Sequence, residues 1–280
     1  MSNQPLSVKV TGSGPAVVCL HSSTSSSKQW RALTESLSHR FQVIAPDLYG
    51  YGDSPQWTLD RALSIEDEIA LLGPALDAVC GPFHLIGHSY GAAVALALAQ
   101  SRPKSVRSLT LYEPVLFNLL LENDDHSESA EEIIAVREDV RRLVREEQLA
   151  QAGARFVDYW SGHGSWTKLE PWQQQSITNR MPKVVADFDA VLGHPIPLAE
   201  YRELHIPTLL LYGVRSPKST RTIIGQLAST LPKSEIRGFL GLGHMGPMTH
   251  AEQVATIIGK FIQALPVGIL VHQLGRLRSK

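Results

Sequence analysis

The chain has 280 residues, of which 43% are hydrophobic and 19% are charged, a composition typical of a globular protein with a packed core. Its 26 Lys and Arg residues and 27 Asp and Glu residues give a net charge of −1, so there is no basic excess, and nucleic acid is disfavoured as the main ligand. Two cysteines, Cys19 and Cys80, are too few for a disulfide framework or a cysteine-based metal site. Both lie in apolar segments, so we expect two buried free thiols.

No membrane or export signal is recognisable in the sequence. The N-terminal residues lack the charged and apolar regions of a secretory signal. The most apolar uninterrupted run, residues 92–99, is far shorter than the ~20 residues that a membrane span requires. We therefore expect a cytoplasmic protein that acts on a small molecule, without a membrane or nucleic-acid partner.

Short apolar runs alternate with helical segments along most of the chain. Helices are predicted over residues 64–79 and 92–100, and Ser64 has the character of an N-cap because acidic residues follow it in the first turn. The alternation predicts a mostly parallel sheet covered by helices on both faces. The predicted strands are residues 16–21, 41–47, 83–89, 106–114, 207–213 and 234–240.

Residues 115–199 interrupt this alternation, because they have the pattern of helices with no strand between them. Within 133–149, apolar residues recur at helical spacing and predict one amphipathic helix. That helix is either a solvated surface helix or part of a helical cap inserted over the edge of the sheet. The same region contains three tryptophans, which either line a pocket or form the core of the cap: Trp160, Trp166 and Trp172.

The motif with the clearest chemistry is Gly-His-Ser-Tyr-Gly at residues 87–91, which fits the pattern G-x-S-x-G. The pattern alone is common, but here it follows a predicted strand and precedes a predicted helix, which is the setting that a nucleophilic serine requires. The two glycines permit a turn that a Cβ would strain. The start of the helix leaves backbone N–H groups free to face a developing negative charge. Ser89 is therefore the candidate nucleophile.

With this motif, the chain resembles the α/β-hydrolase-fold serine hydrolases over about residues 6–265. Residues 47–54, Asp-Leu-Tyr-Gly-Tyr-Gly-Asp-Ser, resemble the family's D-x-x-G-x-G-x-S turn, and the strandless region falls where the family carries its cap. The resemblance implies an α/β-hydrolase fold, a mostly parallel central sheet flanked by helices, with a helical cap inserted after the family's strand six. The core would comprise residues 1–114 and 200–280, and the cap residues 115–199.

A serine hydroxyl is a poor nucleophile at neutral pH, so a base must lie within hydrogen-bonding distance. His244 is our candidate among the eleven histidines, because it lies in a glycine-lined loop after the last predicted strand. This loop also resembles the one that carries the family's catalytic histidine. His88 is expected to point away from Ser89, and His21 to orient the neighbouring loop by hydrogen bonding.

The acidic partner of the histidine departs from the family's pattern. The slot where the family most often carries its acid, after strand seven, is Ser216, and no Asp or Glu lies between residues 213 and 231. A serine would stabilise an imidazolium less well than a carboxylate does. Glu113, at the end of the neighbouring strand, is the candidate replacement, although it could instead cap a helix or pair with an arginine. Asp187 and Asp189 in the cap are further candidates.

The resemblance also implies an oxyanion hole made by the backbone N–H groups of Ser23 and Tyr90. We expect a cofactor-independent serine hydrolase without a metal site, which acts through an acyl-enzyme on a small or medium carboxylic ester or a related acyl compound. The alternatives are a perhydrolase or haloperoxidase-like enzyme, a carbon–carbon bond hydrolase, and a ligand-binding protein without activity. The oligomeric state stays open, and residues 266–280 are assigned no role.

Overall fold

The computed structural model describes residues 5–122 and 128–265. The C-terminal segment 266–280 lies outside the described residues. Within them, seven strands form one sheet: β1 (Val8–Thr11), β2 (Ala16–Leu20), β3 (Gln42–Pro46), β4 (Phe83–His88), β5 (Val106–Tyr112), β6 (Thr208–Gly213) and β7 (Ser234–Phe239). Their order across the sheet is β1-β3-β2-β4-β5-β6-β7. β1 runs antiparallel to β3, and every other neighbouring pair is parallel.

Helices connect the strands and cover both faces of the sheet. The α-helices of the described residues are α1 (Arg31–Leu37), α2 (Ile65–Asp77), α3 (Tyr90–Ser101), α4 (Glu128–Arg145), α5 (Leu149–Ser161), α6 (Pro171–Thr178), α7 (Met181–Leu192), α8 (Lys218–Thr230), α9 (Gly246–Thr249) and α10 (Ala251–Ala264). Short 3₁₀ helices span Ser27–Trp30, Pro103–Ser105, Phe117–Leu120, Trp166–Lys168 and Leu198–Glu203. None of the helices in this part of the chain has both the length and the hydropathy needed to cross a membrane.

The strand β2 shows why the central strands have uninterrupted apolar sequences. Successive side chains of a strand point to opposite faces of the sheet. Val18 and Leu20 pack in a cluster with α2, α3 and helices between β5 and β6, whereas Val17 and Cys19 pack in a second cluster with α1 and α10. Because both faces of β2 are buried, no polar residue alternates with the apolar ones.

The start of α2 follows the prediction from the sequence. The Ser64 hydroxyl accepts the Asp67 N–H at 3.3 Å, and the Asp67 carboxylate accepts the Ser64 N–H at 2.9 Å. This reciprocal capping box satisfies two N–H groups that would otherwise lack partners at the helix start. Ser64 is therefore the N-cap, as predicted.

Three local features differ from the predictions. β1 was not predicted, because its four residues are all exposed and carry no buried face. The helix predicted to reach residue 149 ends at Arg145, since Glu147 has a φ of 58° that interrupts the helix before α5 begins. Cys19 is buried as predicted, but Cys80 is exposed, because it lies in the turn that follows α2.

The region predicted to lack strands forms α4, α5, α6 and α7 between β5 and β6. β5 is the strand that the family numbering counts as the sixth. On α4, the predicted apolar face is buried at Ile133, Val136 and Val140, which share one cluster with the sheet. The limits 115–199 for a cap, and 1–114 with 200–280 for the core, stay predictions.

Candidate active site

Ser89 lies in the sharp turn between β4 and α3. Its φ and ψ are 55° and −118°, a conformation that residues with a side chain adopt rarely and that is typical of functional sites. A Cβ on Gly87 would lie 2.5 Å from the Ala92 Cα, and a Cβ on Gly91 would lie 2.3 Å from a carbonyl oxygen just after β2. Both glycines are therefore required by the close approach of the backbone around Ser89.

Ser89, His244 and Glu113 form one hydrogen-bonded chain. The Ser89 hydroxyl donates to His244 Nε2 at 2.9 Å, and His244 Nδ1–H donates to Glu113 Oε2 at 2.7 Å. All three residues are buried, and they follow the C-terminal ends of β4, β7 and β5. Because parallel strands end at the same edge of the sheet, residues far apart in the sequence meet there. The structure brings together the three side chains that the sequence singled out.

Glu113 is a buried carboxylate whose oxygens all have partners. Its Oε1 accepts the Gly213 N–H at 2.7 Å and the Ser216 hydroxyl at 2.5 Å, while Oε2 accepts the His244 ring. These bonds offset the loss of hydration on burial. Ser216, at the slot where the family most often has its acid, thus binds the acid that stands in its place. Asp189 has a different role, since it contacts Arg137 at 2.8 Å.

Side chains from three elements hold His244 in position. His88 Nε2–H donates to the His244 carbonyl oxygen at 2.9 Å, and the Tyr112 hydroxyl donates to the Gly243 carbonyl at 2.8 Å. Burial lowers the pKa of His88 well below its ordinary value, so this ring stays neutral. From α5, the Trp160 ring stacks on the His244 ring with centroids 4.0 Å apart and planes at 27°.

The loop after β2 is fixed by buried hydrogen bonds. His21 Nδ1–H donates to the Ser22 carbonyl at 2.8 Å, and His21 Nε2 accepts the Leu48 N–H at 3.0 Å. Burial lowers the pKa of His21 to about 4, which keeps the ring neutral and able to accept. The Ser22 N–H and hydroxyl both donate to Gln29 Oε1. His21 therefore orients this loop, as expected from the sequence.

Two backbone N–H groups lie beside the serine without a partner. Ser23 and Tyr90 line the same small cavity as Ser89, and neither N–H donates to a protein acceptor within residues 5–122 and 128–265. Tyr90 is the first residue of α3, and first-turn N–H groups have no acceptor inside their own helix. Such groups are available to an anionic oxygen.

Sequence reasoning missed a buried ionic cluster behind the loop. Lys183 Nζ of α7 lies 3.1 Å from Glu68 Oε1 of α2 and also contacts the Asp187 carboxylate, one turn further along α7. Burial raises the pKa of Glu68. Burial opposes the charge of Lys183, but the carboxylates of Asp187 and Glu68 outweigh it and raise the pKa of Lys183. The sequence did contain one signal for this cluster, because Lys183 and Asp187 are oppositely charged residues four positions apart, next to the apolar residues of α7.

This ionic cluster contacts the residues on both sides of the small cavity. Asp187 Oδ2 accepts the hydroxyls of Ser23 and Tyr51, each at 2.5 Å. The Tyr90 hydroxyl donates to Glu68 Oε1 at 3.1 Å. The His244 ring is hydrogen-bonded to Glu113 and Ser89, so Asp187 is not its acidic partner.

A cavity of about 1070 Å³ reaches Ser89 and His244. Trp160 and Trp172 line it, whereas Trp166 packs against Gly153 of α5. Trp160 has both roles that the sequence left open, since it is also buried in the core cluster, whereas Trp172 is exposed and Trp166 is only partly buried. In the described part of the chain, no group of three His, Cys, Asp or Glu side chains could hold a metal ion.

Comparisons with known proteins agree with this architecture. The chain is 26% identical, over 250 residues, to a pimeloyl-[acyl-carrier protein] methyl ester esterase of Nitrosomonas europaea, covering 88% of this chain and 95% of the relative. It is also 26% identical to a proline iminopeptidase of Heyndrickxia coagulans, over 91% of this chain and 92% of the relative. A thermophilic esterase from Thermogutta terrifontis, solved with malate bound, superposes with a TM-score of 0.70 at 27% identity, covering 92% and 93% of the two chains.

These relatives support a hydrolytic role. The family model described as the alpha/beta hydrolase family matches residues 17–257, a range that contains Ser89, Glu113 and His244. The sheet order, the turn at Ser89 and this match agree with one another, and the fold implied by the sequence resemblance is confirmed. The chain belongs to the alpha/beta hydrolase family.

Proposed function

We propose that the protein is a cofactor-independent serine hydrolase that cleaves small or medium carboxylic esters through an acyl-enzyme. The observation that carries this proposal is the buried chain of hydrogen bonds from Ser89 through His244 to Glu113. A nucleophile, a base and a carboxylate that orients the base are the parts that acyl transfer by serine requires.

In the acylation step, Ser89 Oγ attacks the carbonyl carbon of the ester while His244 Nε2 takes its proton. Glu113 accepts from Nδ1–H, so it holds the ring in the tautomer whose Nε2 is a base and stabilises the imidazolium that forms. The tetrahedral intermediate then collapses. The C–O bond to the alcohol breaks, and Nε2–H returns the proton to the departing oxygen.

In the deacylation step, a water molecule takes the place of the alcohol. His244 Nε2 removes a proton from this water as it attacks the acyl carbon, and the proton passes to Ser89 Oγ when the acid leaves. In both steps the negative carbonyl oxygen would be bound by the N–H groups of Ser23 and Tyr90. Each such donor is worth about 3–4 kcal/mol of barrier in comparable sites.

The choice of an ester rests on two of the relatives. The Nitrosomonas europaea and Thermogutta terrifontis proteins are named as esterases, and the alkoxide of an ester leaves more easily than the unprotonated nitrogen of an amide. Carbon–carbon bond cleavage and perhydrolysis would use the same three side chains, but no observation on the cavity favours either.

Labelling with a fluorophosphonate tests the proposal, with the modified peptide located by mass spectrometry and 4-nitrophenyl butyrate hydrolysis measured in parallel. We expect stoichiometric labelling of Ser89 in the wild type and in the control Ser101→Ala, and none in Ser89→Ala. His244→Ala should lose both labelling and turnover. Folded wild-type protein that neither reacts with the probe nor cleaves the ester would instead indicate a binding protein.

A further inference from the structure

Arg180 is a positive charge in the wall of the large cavity that lacks a carboxylate partner. It immediately precedes α7, is half-buried, and lines the cavity together with Ser89 and His244. Its NH1 group donates to the Thr24 carbonyl at 3.2 Å and to the Ser176 hydroxyl at 2.6 Å. Within residues 5–122 and 128–265, no Asp or Glu oxygen forms an ion pair with this guanidinium, and its Nε and NH2 groups have no acceptor.

Several other arginines between β5 and β6 are paired with carboxylates. Arg137, Arg142 and Arg155 each contact at least one carboxylate on the surface of these helices. An arginine retains its charge at any physiological pH, and a half-buried guanidinium has fewer water partners than an exposed one, so pairing with an anion is more favourable there. Arg145 and Arg202 also lack a carboxylate partner among the described residues, but both are exposed to solvent, whereas Arg180 is half-buried and lines the cavity that contains Ser89 and His244. Its charge is therefore available to an anionic group of a ligand in that cavity.

Most of the charged groups around the cavity are cations. Besides Arg180, its lining includes three cations, Lys9, Lys28 and Arg31, and one acid, Glu35. Glu35 is itself paired with Arg31 at 3.9 Å. Only one of the four cations, Arg31, has a carboxylate partner within the lining. The cavity therefore has an excess of positive charge, which attracts an anion.

The dimensions near Ser89 suggest how a substrate lies. The small cavity lined by Ser23, Ser89 and Tyr90 has a volume of about 20 Å³, which admits a group of the size of a water or a methyl. The longer part of an ester must then extend into the large cavity, where Phe156, Trp160 and other apolar side chains alternate with the polar loop after β2.

We propose that Arg180 binds a carboxylate of the substrate, and that the preferred substrates are esters of a small alcohol with an apolar dicarboxylic acid whose second carboxyl group is free. The planar guanidinium offers two parallel N–H groups, a geometry that matches a carboxylate. This inference rests on the proposed ester hydrolysis. The hydrolysis itself does not depend on Arg180.

Hydrolysis of two matched esters, each measured separately, tests the inference. Monomethyl suberate has one ester group and a free carboxylate, whereas in dimethyl suberate both carboxyl groups are esterified. Initial rates on each compound are expressed per ester group, and the acid released is measured by titration at constant pH. We expect the wild type to have a kcat/KM roughly 10- to 100-fold higher for the monomethyl ester, the range given by one charge-assisted hydrogen-bonded pair.

Three variants test whether Arg180 is the residue that determines the preference for the monomethyl ester. Arg180→Gln retains N–H donors for Thr24 and Ser176 but has no charge, and it should bring the ratio of the two kcat/KM values close to 1. Arg180→Lys should restore part of the ratio. Arg142→Met, a paired and exposed arginine on α4, should leave the ratio at the wild-type value.

Binding without turnover gives a second readout. In a Ser89→Ala background, titration calorimetry with monomethyl suberate should give a Kd at least about tenfold weaker when Arg180→Gln is added. Cleavage of both esters with a ratio near 1 in the wild type, or a ratio that Arg180→Gln leaves unchanged, overturns the inference. Absence of cleavage of either ester in folded wild-type protein would count against ester hydrolysis itself, and unchanged calorimetric affinity would then still overturn the role of Arg180.

Discussion

Replacing Lys183 with methionine is the sharpest test of the buried ionic cluster. The side chains of Lys183, Glu68 and Asp187 are 9%, 0% and 5% exposed. Methionine has a similar length and fills the same space, so packing changes little. The substitution leaves two buried carboxylates facing each other without the cation that separates them.

The expected loss of stability follows from this burial. Removing one partner from a buried ion pair costs about 3–5 kcal/mol, because the remaining charge keeps its desolvation penalty. In a chain of this size each kcal/mol changes the Tm by roughly 2–4 °C, so Lys183→Met should lower the Tm by roughly 6–20 °C. The free energy of unfolding of a whole domain is about 5–15 kcal/mol, so the variant should be folded but visibly weakened.

The pH dependence of this loss has a definite sign. Burial already raises the pKa of Glu68 above its ordinary value of 4.5, and Lys183 acts to lower it. Without Lys183, that pKa must rise further. A group whose pKa is raised in the folded state contributes stability that is present below its unfolded pKa and is lost as the pH rises through its folded pKa. The Tm difference between wild type and Lys183→Met should therefore be largest at neutral pH and shrink as the pH falls towards 4.5.

Thermal melts by circular dichroism between pH 5 and pH 8 measure both effects. Lys104→Met, at an exposed site, controls for the loss of one lysine. The triple variant Glu68→Gln, Lys183→Met, Asp187→Asn leaves no unpaired charge and should recover part of the lost Tm. A Tm for Lys183→Met within about 2 °C of wild type at pH 7, or a difference that grows on acidification, would refute the reasoning.

Further predictions concern the hydrogen-bonded chain at Ser89, and each is measured as kcat and KM on 4-nitrophenyl butyrate. Ser89→Ala and His244→Ala should each lower kcat by several orders of magnitude, and the double variant should lose no more than either, because the residues act as a unit; additive losses would contradict this. Glu113→Gln should lower kcat by about 10²- to 10⁴-fold, and near wild-type activity would remove Glu113 from the mechanism. Ser216→Ala removes one donor to a buried carboxylate and should lower kcat by roughly 10- to 100-fold, less than Glu113→Gln; an unchanged kcat would make Ser216 a bystander.

The sequence could predict the parts of the site that local spacing determines. The turn at Ser89 depends on two glycines within five residues. The position of His244 depends on a loop that directly follows a strand. Glu113 could be found because strand ends of a parallel sheet lie side by side, so a carboxylate at one end substitutes for a missing one at the next. The backbone at Glu113 has a φ of 46°, a conformation that is rare for residues with a side chain and typical of functional sites.

The parts that escaped prediction depend on how the helices between β5 and β6 lie over the sheet. Glu68 and Lys183 are 115 residues apart, and helical periodicity identifies the buried face of α7 without indicating what that face meets. The role of Ser216 escaped for a related reason. Its residue type excluded it as the acid, but only the fold shows that its hydroxyl points at Glu113. β1 escaped because its sequence, Val-Lys-Val-Thr, alternates apolar and polar residues over only four positions, which is too short a run to predict a strand.

Trp160 connects these helices with the chemistry at the sheet edge. The Trp160 and His244 rings are stacked with their centroids 4.0 Å apart. During acylation the His244 ring becomes a cation. An indole face stabilises a desolvated cation by about 0.5–2 kcal/mol, and this stabilisation exists only after the proton has moved, so it lowers the barrier and leaves ground-state binding unaffected.

Trp160→Leu should therefore reduce kcat by about 2- to 30-fold, and Trp160→Phe should restore part of the loss, since a benzene face attracts a cation less strongly than indole does. Because Trp160 also lines the large cavity, a loss of binding contacts alone would raise KM and leave kcat unchanged. Separate values of kcat and KM on a short ester, 4-nitrophenyl acetate, distinguish these cases. An unchanged kcat in Trp160→Leu would mean that the stacked ring contributes only packing, and that the helices between β5 and β6 line the cavity without taking part in catalysis.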